Sequence, residues 1–227
     1  MAFGAIFDWD GVIIDSSRQH EKSWNLLAAE EQRKLSEDFF RRSFGMKNED
    51  ILPGLLGWTR DAEQIRRLSK RKEELYRQII TSDQISLLPG IKDLLAALQR
   101  ESVPCAIASS TPRANIECVI DRLGIRAYFP VIVTGEDVRQ GKPNPEVFLL
   151  AANRLGIAPA QCVVFEDADV GVEAALAGNM KVIAVATTHP ASSLKDAHLV
   201  VSTLEHVNLK VIAGVFAKAS PRPSQGR

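Results

Sequence analysis

The chain has 227 residues, 45% of them apolar, and balances 28 basic against 28 acidic residues. That apolar content supports a sizeable core, in one large domain or in a domain carrying an insertion, and zero net charge gives no electrostatic reason to expect nucleic acid or an anionic membrane as a partner. Cys105, Cys118 and Cys162 are too scattered for a disulfide framework or a zinc site and suit a reducing compartment; with neither a signal segment nor a membrane-length apolar run, a cytoplasmic protein, expected to be monomeric, follows.

The first predicted strand is Ala5 to Phe7, an apolar run halted by Asp8, Asp10 and the turn-favouring Gly11. Two acids at a strand's C-terminal end offer a hard-cation site and a carboxylate free to act as nucleophile or acid/base. The same pair also occurs in calcium loops and sugar-nucleotide sites, so its chemistry depends on its partners. From Asp15 to Pro89 the sequence reads as helices, far longer than the dozen or so residues a crossover needs. This predicts an inserted helical bundle. His20, Trp24 and Leu27 share one helical face, and Ile65, Leu68, Leu75 and Ile79 another. Phe39 to Phe44 reads as a short helix stopped by Gly45, and GMKNEDILPGLLGW as a polar loop, a short helix and a break at Pro53 and Gly54.

After Pro89 helices and strands alternate. Pro89 and Gly90 open a helix carrying Ile91, Leu94, Leu95 and Leu98, and Val103 to Ala108 follow as a buried strand ending at Ser109, Ser110 and Thr111. Thr111 reads as an N-cap with Pro112 in the first helical position, and Gly124 as that helix's end. Next come a strand from Tyr128 to Val133, the loop GKPNP, a helix from Pro145 to Leu155 closed by Gly156, and a strand from Cys162 to Phe165 terminated by Glu166 and Asp167. A helix from Val170 to Ala177, strands at Val182 to Val185 and His198 to Val201, and a last helix from about Leu204 to Phe216 complete the order. The tail, 219–227, has too little apolar content to pack and is expected to be disordered.

Such alternation predicts an α/β fold, a Rossmann-like doubly wound parallel sheet (1–14 and 88–218) with an inserted α-helical domain (15–87). Right-handed crossovers put every strand's C-terminal end on one rim. Asp8 and Asp10, Ser109 and Ser110, Lys142, and Glu166 and Asp167 therefore converge. The set suits phosphoryl transfer: carboxylates for magnesium, a lysine and hydroxyl or amide donors for phosphate oxygens, and a carboxylate to attack.

The segments FDWDGV, IASST, GKPNP and VFEDADVGVEAALAG resemble the four signature motifs of the haloacid dehalogenase superfamily, and the helical insertion resembles the cap of its β-phosphoglucomutase-like branch. The resemblance implies that Asp8 is a nucleophile forming an aspartyl phosphate and Asp10 the general acid/base. It implies that Ser109, Ser110 and Lys142 grip phosphate, and that Mg2+ is held by Asp8, Asp10 through its carbonyl, and Asp167, with Glu166 one step out holding a water of the ion. Aspartate at position 10 favours phosphate esters as substrates.

The implied substrate is a small phosphorylated metabolite, a sugar phosphate or a relative, selected by the cap. His20, Trp24 and Lys70 resemble cap residues of the phosphoglucomutases, but Asn48 and Pro112 stand where those enzymes hold a second phosphate with arginine and lysine. Lys47 and Arg113 could substitute. The loss favours a phosphatase over a mutase, with a non-catalytic binding protein on the same fold the third reading. The GMKNED loop resembles phosphatases of this branch, some acting on a phosphorylated ribityl-pyrimidine of flavin synthesis.

Overall fold

The computed structural model describes residues 3–43 and 46–218. Short apolar runs of three to five residues form six strands: β1 (Gly4–Phe7), β2 (Cys105–Ala108), β3 (Val131–Val133), β4 (Cys162–Glu166), β5 (Lys181–Val185) and β6 (Leu199–Val201). Each pairs in parallel with its neighbours, in the order β3-β2-β1-β4-β5-β6. β1 therefore sits at the centre, where the strand order changes direction, and open α/β sheets place ligands outside the strands' carboxyl ends at such a point.

Strand alternation divides the core into two layers. Ala5 and Phe7 of β1 face an apolar cluster completed by α5 (Ile91–Arg100), α6 (Arg113–Ile120) and α9 (Leu209–Phe216). Ile6 faces the other, completed by α7 (Glu146–Leu155) and α8 (Asp169–Ala177). Helices on both faces bury the sheet, making the fold Rossmann-like α/β as expected.

Between β1 and α5 the chain forms α1 (Ser17–Glu30), α2 (Phe39–Ser43), α3 (Asn48–Asp50) and α4 (Ala62–Ser82), with a separate apolar cluster of Trp24, Leu27, Phe39, Ile51, Leu52, Leu68 and Leu75. The segment leaves and returns at one place: Ile14 bridges antiparallel to Leu87, and the Leu88 amide donates to the Ile13 carbonyl at 2.9 Å.

Four local expectations differ from the structure. The chain does not break at Pro53; α3 runs into a wider turn over Ile51–Leu55, in which the Leu56 amide reaches back five residues to Ile51, and the wider ladder accommodates proline's missing donor. Pro112, not Thr111, stands at the N-cap of α6, which ends at Ile120 before Gly124. β3 is shorter than Tyr128 to Val133 because Arg126–Tyr128 form a helical turn. The last helix begins at Leu209, where the Asn208 side chain accepts from the Lys210 and Val211 amides. Phe44, Gly45 and the tail 219–227 lie outside the described residues.

Candidate active site

Strand β1 delivers Asp8 directly to the rim, its amide donating to the Phe165 carbonyl of β4 at 3.0 Å. β4 ends in Glu166 and Asp167, and the three carboxylates of Asp8, Glu166 and Asp167 lie within 4.8 Å of one another, all buried. Lys142, also buried, places its Nζ 3.1 Å from Asp8 Oδ1 and 3.1 Å from Glu166 Oε2. Ser109, at the end of β2, hydrogen-bonds Asp8. Glycines make the room: a Cβ at Gly11, whose φ is +77°, would collide with the Asp167 carboxylate, and one at Gly171 in α8 with that of Glu166.

The charges explain the chemistry available. Burial pushes the Asp8 carboxyl above its ordinary value, with Lys142 pulling it down and Asp10 pushing it up. Burial and the neighbouring Glu166 and Asp8 raise Asp167, and burial raises Glu166 to about 8 despite Lys142. Burial would lower Lys142, but Asp8 and Glu166 outweigh it and raise its pKa. One ammonium thus faces three carboxylates. Asp167 Oδ1 is buried without a hydrogen-bond partner, and hard oxygen donors in this number suit Mg2+. The residues fit the expected ion.

Asp10 points elsewhere. Its carboxylate accepts hydrogen bonds from Ser16, at the start of α1, and from Thr111, and its Oδ1 lies 3.4 Å from His20 Nε2. Burial works against its charge, but His20 and the two hydroxyls outweigh burial and hold Asp10 below the usual carboxylate range. Its side chain is outside the three-carboxylate cluster, while Glu166, expected one step out, is inside it.

The expected substrate residues divide. His20 lines the cleft, stacked on Tyr76 with ring centroids 4.1 Å apart. Lys70 lines the rim but is exposed; the lysine that reaches His20 is Lys72, whose Nζ lies 2.7 Å from His20 Nδ1 and 2.9 Å from Glu73 Oε1. Lys47 lines the cleft, yet its ammonium donates to the Gly135 and Val138 carbonyls at 2.5 and 3.2 Å. Arg113 turns from the cleft to the Ile132 carbonyl and Asp137, both at 3.0 Å. Asn48 donates to Glu73 at 2.6 Å, and Asn115 of α6 donates to the same carboxylate. Ser110 lines the cleft beside Ser109, and Trp24 lies in the apolar cluster of the helical segment.

Sequence reasoning missed Lys72, Thr111 and Thr188, which donates to Asp167. Lys72 had a signal: Ser69, Lys72, Glu73 and Tyr76 recur at i, i+3, i+4 and i+7, a buried polar stripe on α4. Asp8, Asp10, His20, Lys72, Ser109 and Lys142 line a cleft of about 1250 Å³ between the sheet's rim and the helical segment.

The family model of haloacid dehalogenase-like hydrolases matches residues 4–179. The chain is 40% identical over 208 residues to the 5-amino-6-(5-phospho-D-ribitylamino)uracil phosphatase of Arabidopsis thaliana, which covers 91% of this chain but only 56% of that protein. It is 32% identical to a β-phosphoglucomutase of Bacillus subtilis, over 91% of this chain and 92% of that one. A solved β-phosphoglucomutase from Clostridium difficile superposes with a TM-score of 0.85 at 27% identity, covering 96% of this chain and 98% of the other. Among the described residues no helix is long and apolar enough to cross a membrane.

Proposed function

The chain belongs to the haloacid dehalogenase-like hydrolases, and from that premise we propose that it is a magnesium-dependent phosphatase hydrolysing a small phosphorylated metabolite through an aspartyl phosphate on Asp8. The observation that carries this reading is the buried Asp8 carboxylate, ion-paired to Lys142 and grouped with Glu166 and Asp167 at the end of the central strand.

In this reading a carboxylate oxygen of Asp8 attacks phosphorus in line with the departing alcohol, while Lys142, Ser109 and Ser110 hold the phosphate oxygens. Mg2+, held by Asp8, Asp167 and the Asp10 carbonyl with Glu166 beside them, would supply the positive charge that lets one anion approach another. Asp10 moves the protons. It donates one to the leaving oxygen and then takes one from the water that hydrolyses the acyl phosphate. His20, Ser16 and Thr111 favour the ionised form, which accepts the second proton; the proton donated first has to be taken up against that bias.

Residues 15–87 act as the cap, closing the cleft and selecting the leaving group. The candidate substrates are sugar phosphates and the phosphorylated ribityl-pyrimidine of the Arabidopsis relative. The enzyme acts as a cytoplasmic monomer without a nucleic-acid or membrane partner. The similarity to the Bacillus mutase favours a second reading, an isomerase, but Asn48 is engaged with Glu73 and Pro112 has no side-chain donor for a second phosphate.

The test is phosphate release from p-nitrophenyl phosphate and a panel of phosphorylated metabolites with Mg2+. Release abolished by Asp8→Asn supports the phosphatase. Interconversion of sugar phosphates dependent on a sugar bisphosphate, with little free phosphate, supports the mutase instead.

A further inference from the structure

We propose that Lys47 is a positioning residue: from the helical segment it grips the loop between β3 and α7 at the phosphate end of the cleft and so holds Lys142 against Asp8. The inference rests on the reading of Lys142 as a phosphate-binding group. Lys47 itself is too far committed to that loop to serve as a free cation for substrate, since its ammonium donates to the Gly135 and Val138 carbonyls at 2.5 and 3.2 Å. A lysine has three donors and no acceptor, so a pair of backbone carbonyls is a matched seat.

The stem is seated as well as the head. A Cβ on Gly135 would lie 3.2 Å from Lys47 Cε, and one on Gly141 would lie 3.1 Å from its Cγ and Cδ. Each glycine also borders a residue of the phosphate end. A Cβ on Gly135 would come within 2.6 Å of the Ser110 carbonyl oxygen, and Gly141 immediately precedes Lys142. One side chain therefore touches the supports of Ser110 and Lys142 together.

The other hydrogen bonds of this loop come from outside the helical segment: the Arg113 amide donates to Glu136 at 3.1 Å, and the Arg113 and Arg154 guanidiniums each donate to Asp137 at 3.0 Å. The Arg139 and Gln140 amides donate to Glu146 at 3.0 and 2.9 Å, and the Asn144 amide to the Gly141 carbonyl at 2.9 Å. These bonds would survive if the helical segment lifted; those of Lys47 would not. Lys142 must hold two carboxylates at 3.1 Å each, and a displacement of about 1 Å in such a group can cost about a hundredfold in rate. Closure of the segment would thus complete the phosphate site.

Lys47→Met keeps the stem and removes the ammonium. It is expected to lower kcat/KM at least tenfold, equally for p-nitrophenyl phosphate and for sugar phosphates, because the loop serves the phosphate end common to all of them. Amide hydrogen exchange over residues 135–142 should quicken at least fivefold. Gly141→Ala, which narrows the seat, should act in the same direction but add nothing in a Lys47→Ala background. A loss confined to one ester, as for a cation that contacts the leaving group, overturns the proposal; so do unchanged exchange over 135–142 and additive effects of the two substitutions. Faster exchange in a chain whose wild type releases no phosphate overturns the phosphatase reading and leaves the seat of Lys47 standing.

Discussion

Lys142 Nζ lies 3.1 Å from Asp8 Oδ1, and this single ammonium is the charge that lets a buried carboxylate cluster persist. Removing it by Lys142→Met leaves acids buried without their cation, which typically costs about 3–5 kcal/mol. Phosphate release should fall at least a hundredfold. Mg2+ should raise the melting temperature of the variant more than that of the wild type, since a divalent ion takes over the missing charge. Thermal unfolding with MgCl2 and with EDTA checks this; an equal shift in both proteins would contradict it.

Asp10 is held by hydroxyls and His20, apart from the three-carboxylate group, in keeping with a proton carrier. Asp10→Asn should therefore cost about 10²–10⁴-fold in kcat for alkyl phosphates, whose leaving oxygen needs a proton. For the first step with p-nitrophenyl phosphate the loss should be smaller, because p-nitrophenolate departs unprotonated. Burst kinetics with the two ester classes separate the steps.

Two helical glycines should respond to alanine with opposite signs. In α8, a Cβ at Gly171 meets the Glu166 carboxylate, so Gly171→Ala should destabilise by about 1–3 kcal/mol, as overpacking does, and reduce activity. In α9, Gly214 has open space around its Cβ position, so Gly214→Ala should stabilise by up to about 1 kcal/mol through helix propensity. Urea unfolding of both variants reads the contrast.

His198 predicts a pH dependence remote from the cleft. Burial, with Lys181 and Lys218 nearby, lowers its pKa to about 4, and the Val182 amide donates to its Nδ1 at 3.2 Å, which requires that nitrogen to be unprotonated. The unfolded chain binds the proton near pH 6.5 and the folded one only near 4, so the stability contribution is complete above pH 6.5 and is lost as pH falls through that window. His198→Gln should flatten the fall in stability between pH 6.5 and 4 as measured by denaturant midpoints.

The rim was legible because strand ends announce themselves. Asp8, Ser109 and Glu166 each stop an apolar run, and parallel topology then brings them together whatever their separation in the chain. What escaped was side-chain direction. Lys70 and Lys72 both sit in one charged stretch, and only the turn of α4 against α1 and α6 decides that Lys72 faces His20 while Lys70 faces outward. Thr111 read as a helix cap because its local sequence permits one, but the Asp10 carboxylate in a neighbouring strand end competes for its hydroxyl and wins. Arg113 and Lys47 carried charge suitable for a substrate, yet carbonyls and Asp137 distant in sequence claim them.

The pairing of Ile14 with Leu87 means that the chain exits and re-enters the sheet layer through adjacent doorways. A graft joined across that gap could replace the whole helical stretch without altering any strand's register, but it would have to bring its own equivalents of Ser16, His20 and Lys47, which reach Asp10 and the Gly135 loop from that stretch.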